Sequence, residues 1–281
     1  MRKTLWGFLG ANLTFPGPTV PIELVEAIID HLRSDRRSLK ACSLVCKAWT
    51  HRARFNLFAC LDLHAGVAKR ILISESRVKM MPYIRHLCLI GSSYDPTKLH
   101  AWDEIVPMLN DFHNVRCLGL SGFDLESSTS PNCGVLASQF THIVALHLID
   151  VRSLSFDSFA NVICAFPCLE TLALCNVAWW TPTLPVQSLN LPRGLSAVQL
   201  MGYDNHTILT WLLSLDPIPA LRTFYLYHTK SQDVAIAGDW LNALSSSLQS
   251  FACSSMRFDY DDGMSTPSVL SICSTAAEKK K

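Results

Sequence analysis

Apolar residues recur along this chain with two different periods, and the change from one to the other divides the molecule. From Pro21 to about Phe58 the period is helical. Val25, Ile28, Ile29 and Leu32 fall at i, i+3, i+4 and i+7, which predicts one stripe of an amphipathic helix. Pro21 suits the first turn, where a missing N–H costs nothing, and Glu23 complements the positive helix end. Ser34-Asp35 interrupts the pattern and Leu39 to Val45 forms a second apolar run. Trp49, Ala53 and Leu57, spaced by four, predict a third helix. Three short helices bury little area by themselves, so this bundle is expected to lean on a neighbour or a partner.

Beyond it the period becomes that of strands. The template apolar-x-x-apolar-x-apolar returns in seven segments: Ile84–Leu89, Val115–Leu120, Ile143–Leu148, Leu169–Leu174, Leu195–Leu200, Leu221–Leu226 and Leu248–Cys253. Their starts step by 31, 28, 26, 26, 26 and 27 residues, the mark of a repeat architecture. In each copy the fourth and sixth residues are predicted to point into a shared core and the residues beside them outward. The outward positions run from His86 and Cys88 through Cys117, Gly119, Ala145, His147, Thr171, Ala173, Ala197, Gln199, Thr223 and Tyr225 to Ser250 and Ala252. The links at Trp102–Leu109, Phe156–Phe166, Ile208–Leu215 and Val234–Leu244 read as helices. Pro182, Pro185 and Pro192 forbid a continuous helix between Ala178 and Gly194.

The expected organisation is a flexible lead-in over 1–19, a helical bundle over 20–62, a repeat region over 63–258 and a polar, disordered tail over 259–281. Met1-Arg2-Lys3 before Leu5 to Ala11 imitates a short signal peptide, but Asn12 cuts the apolar run short.

Composition narrows the function classes. Of 281 residues 49% are hydrophobic and 17% charged, so the chain leans toward burial. No apolar run reaches the ~18 residues of a membrane-spanning helix, and no membrane partner is expected. A net charge of +1 speaks against a nucleic-acid binder working by phosphate neutralisation. Eleven scattered cysteines, an odd number without framework spacing, imply reduced thiols in a reducing compartment, cytoplasmic or nuclear. The sequons Asn12-Leu13-Thr14 and Asn205-His206-Thr207 read as chance in that setting. Seven basic residues between Arg33 and Arg54 face one acid, Asp35; they form a solvated face or meet an acidic partner.

Candidate chemistry is sparse. The zincin, Walker, dinucleotide-binding and nucleophile-elbow motifs are all missing. Cys42 with Cys46 and Cys164 with Cys168 have helical spacing, but no further ligand completes a metal site. Asp259 to Gly263 is acidic, yet its glycine comes one place early and Leu270 stands where a calcium loop needs glutamate. No catalytic residue, metal or cofactor is expected; a Cys–His hydrolase pair is the remaining enzyme reading.

Two stretches carry a family resemblance. Val20-Pro21-Ile22-Glu23-Leu24, the Ile28-Ile29 helix and Leu44-Val45-Cys46-Lys47-Ala48-Trp49 closely resemble the F-box, with Val20 in place of the opening leucine. The repeats resemble degenerate leucine-rich repeats, since the usual Asn or Cys three places after the last template leucine is replaced by residues such as Phe123, Val151 and Val177. The two together are a familiar combination in large families of fungal proteins.

The resemblance implies an α/β chain: a small all-α F-box bundle followed by a leucine-rich-repeat solenoid with parallel strands on its concave face. It implies a substrate-receptor subunit of an SCF-type (Skp-cullin-F-box) ubiquitin ligase. The F-box would dock a small acidic Skp-family adaptor and, through it, cullin and RING subunits, while the repeats hold a protein target. Carried over residue by residue, Val20, Pro21, Leu24, Ile28, Leu44, Val45, Cys46, Lys47 and Trp49 are the expected adaptor positions. The expected target-binding residues are His147, Gln199, Tyr225, Tyr227, Trp179 and Trp180. The alternative is a repeat protein that binds the adaptor without ubiquitination or takes a small ligand on the concave face.

Overall fold

The computed structural model describes residues 20–91, 101–125, 132–181, 191–202, 205–227, 231–244 and 246–254. The lead-in 1–19, the tail 259–281 with its acidic run, and Pro182 and Pro185 lie outside the described residues. Two compact units divide the chain, Met1–Leu57 and Phe58–Lys281. The first contains α1 (Ile22–His31), α2 (Arg36–Val45) and most of α3 (Lys47–Phe58).

The second unit is mixed α/β. Eight parallel strands form one sheet: β1 (Cys60–His64), β2 (His86–Ile90), β3 (Cys117–Ser121), β4 (Ala145–Ile149), β6 (Thr171–Cys175), β8 (Ala197–Met201), β9 (Thr223–Tyr227) and β10 (Ser250–Ser254). They lie side by side in chain order, and β5 (Arg152–Ser155) pairs with β7 (Ala178–Thr181) in a separate two-stranded ladder. The register is that of the template. Leu87, Leu118, Leu146, Leu172, Val198 and Phe224 align across the sheet, and so do Leu89, Leu120, Leu148, Leu174, Leu200 and Leu226. All twelve are buried in one core.

Helices supply the other side of that core: Leu72 of α4 (Ala65–Leu72), which the short α5 (Ser76–Met80) follows, Trp102 of α6 (Ala101–Ile105), Leu136 of α7 (Cys133–Gln139), Phe159 of α8 (Phe156–Cys164), Trp211 of α9 (Asn205–Leu213) and Trp240 of α10 (Ser231–Leu244). Two layers around one core satisfy both the apolar stripe of each helix and one face of the sheet. The Trp240 indole remains satisfied inside, donating to the Leu209 carbonyl at 3.1 Å.

β1 corrects the boundary expected at 62/63, which would cut a strand. Phe58, Leu61 and Leu63 meet the same template 26 residues before Ile84, so the repeats start one copy earlier. After β3, β4 and β6 the second residue past the last template leucine is left-handed: Gly122 at φ 69°, Asp150 at 51° and Asn176 at 51°. Glycine, aspartate and asparagine are the residue types that tolerate this conformation. The next positions, Phe123, Val151 and Val177, are buried and apolar, which is why no asparagine appears there.

Asn205 is 3% exposed, and its amide donates to the carbonyls of Gly202 and Tyr227 at 3.0 and 3.3 Å. That sequon offers no accessible nitrogen for a glycan.

Candidate protein-docking surfaces

The first unit is held together by few residues. Its buried apolar side chains are Val25 and Ile29 of α1, Leu39 of α2, and Ala53 and Leu57 of α3. Arg52 of α3 grips Asp30 of α1: Nε donates to Oδ1 at 2.6 Å and Nη2 donates to Oδ2. Asn56 Nδ2 adds a bond to Oδ1 at 2.9 Å. Burial alone would raise the Asp30 pKa; the hydrogen bonds from Arg52 and Asn56, with the Arg52 charge, outweigh it and hold the carboxyl below its usual value. Asp35 caps α2 by accepting from the backbone N–H groups of Arg37 and Ser38 at 3.0 and 3.1 Å. One extended residue, Cys46, turns the chain into α3, and the Thr50 hydroxyl lies 2.9 Å from both the Ser43 and Cys46 carbonyls.

What this core leaves outside is apolar. Val20, Leu24 and Ile28 are 57%, 56% and 56% exposed, and Leu44 and Val45 are 85% and 59% exposed. Single exposed apolar residues are ordinary on any surface, but this many on three short helices are not. Leu24 and Ile28, spaced by four on α1, form a stripe turned about 100° from the Val25 and Ile29 stripe, and Val20 precedes the helix. The single stripe expected from the sequence is therefore two: one closes the bundle and the other faces out. Pro21, Cys46 and Lys47 are exposed as well, whereas Trp49 is half-buried. Ile22, 43% exposed at the start of α1, lies instead on the side of Val25 and Ile29, three and seven residues on. Arg33, Arg36, Arg37, Lys40, Lys47 and Arg54 are exposed around the outward apolar surface, while Arg52 is turned onto Asp30.

In the second unit, the first, third and fifth residues of each strand turn away from the main core. Gln199, Tyr225 and Tyr227 are half-buried on this face, and Tyr225 Oη lies 3.2 Å from Ser250 Oγ. His147 departs from expectation: it is 2% exposed, with Nε2 3.8 Å from Cys117 Sγ, and forms part of the packed sheet surface. Of the two tryptophans in the link, Trp179 packs inward, its ring edge-on against Phe156 at 5.0 Å between centroids. Only the neighbouring Trp180 is presented outward, 73% exposed.

The alternation of outward positions also continues one place further than the sequence reading took it. Ile149, Ala173 and Cys175 form a small buried apolar cluster of their own, with Met201 packed against it. Burial pushes the Cys175 thiol up to about 11, helped by the Asp150 carboxylate. A larger hollow of about 750 Å³ lies between the segment from Leu72 to Pro82 and Met108 to Asn114, crossed by the Arg77–Asp111 ion pair.

Among the described residues no helix is long and apolar enough to cross a membrane. No protein-family model matches this chain, and no curated protein matches it.

Proposed function

We propose that this chain is a substrate-receptor subunit of an SCF-type ubiquitin ligase, its first unit an F-box and its second a degenerate leucine-rich-repeat solenoid. The observation that carries the reading is the outward apolar stripe of α1 together with Leu44 and Val45. Bundle stability does not require these side chains outside, and water disfavours them there; a protein partner would cover them. The basic residues around them suit an acidic adaptor of the Skp family, by steering its approach. Cullin and RING subunits would join through that adaptor, in the cytoplasm or nucleus. The solenoid reading is supported by parallel strands in chain order, each repeat near 26 residues, with one helical layer beside them. In this scheme the chain performs no bond chemistry. It raises the local concentration of a target lysine near a charged enzyme carried elsewhere in the complex.

Co-purification with a Skp adaptor tests the proposal. The full chain is expected to retain the adaptor through gel filtration, and Leu44→Asp combined with Leu24→Asp to abolish retention while the helices stay folded by circular dichroism. Failure of the unaltered, folded chain to retain any Skp adaptor overturns the reading.

A further inference from the structure

We draw no further inference here: the strongest candidate, the hollow of about 750 Å³ between the segment from Leu72 to Pro82 and Met108 to Asn114, is lined by the exposed apolar side chains of Ile73 and Val78, but nothing in the structure shows what covers it.

Discussion

Arg52 holds Asp30 through both carboxylate oxygens, tying the last helix of the first unit to the first. Because Asp30 is held below its usual value near 3.8, it binds fewer protons folded than unfolded. Its contribution is therefore fully present above the unfolded pKa and is lost as pH falls through the lower folded value. With the Asp30 side chain 39% exposed, solvent screening keeps the contribution near ~1 kcal/mol. The protection of the α1 and α3 amides against hydrogen exchange, taken relative to the intrinsic exchange rate at each pH, is expected to fall below about pH 4 more in the wild type than in Asp30→Asn. Equal acid sensitivity in the two proteins would show that the pair does not govern this unit.

Ile28 and Ile29 are neighbours with opposite fates, and the contrast separates core from docking surface. Ile29 is fully buried, so Ile29→Ala is expected to cost ~2–4 kcal/mol in denaturant titrations that follow the first unit. Ile28→Ala changes an exposed side chain and is expected to stay within ~0.5 kcal/mol while weakening adaptor retention. A large stability loss from Ile28→Ala would mean that its stripe serves the bundle.

The sheet could be read from the sequence because Leu87, Leu89 and their counterparts keep strict alternation over copy after copy, and burial on one face follows directly from it. The turns after β3, β4 and β6 are not legible in the same way, because three different residue types, Gly122, Asp150 and Asn176, solve one conformational problem there. His147 shows a second limit. Alternation gives the face but not the exposure, which depends on neighbours such as Cys117 across the ladder. For the residues that the F-box resemblance names, only packing could show that Ile28 faces out and Trp49 partly in.

Gly91 and Gly66 offer a test of packing in the second unit. A Cβ at Gly91 would lie 2.5 Å from the Gly122 carbonyl oxygen, and backbone cannot move aside as a side-chain tip can. Gly91→Ala is expected to lower Tm by several degrees, as an overpacked site costing ~1–3 kcal/mol does. At Gly66, in α4, an added Cβ meets nothing within 4 Å, so Gly66→Ala is expected to stabilise by ~0.5–1 kcal/mol through helix propensity. Differential scanning calorimetry on the two variants checks both signs, and equal shifts would refute the assigned strand-end geometry.

Thiol reactivity bears on the enzyme alternative. A nucleophilic cysteine needs a thiolate near neutral pH, yet Cys175 is 6% exposed and its pKa is pushed to about 11. At pH 7.5 its thiolate fraction is on the order of 10⁻³ or less, against ~10⁻¹ for an ordinary thiol. Cys133 and Cys164 are raised to about 11 by the same desolvation. Iodoacetamide labelling read by mass spectrometry is therefore expected to modify exposed Cys46, Cys168 and Cys253 first, and Cys175 more than a hundredfold more slowly. The Cys175 rate should climb steadily as pH rises toward 11. Fast labelling of Cys175 or of Cys117 beside His147 at neutral pH would mean an activated thiol on the sheet face, and a Cys–His nucleophile would then displace the docking role argued for that face.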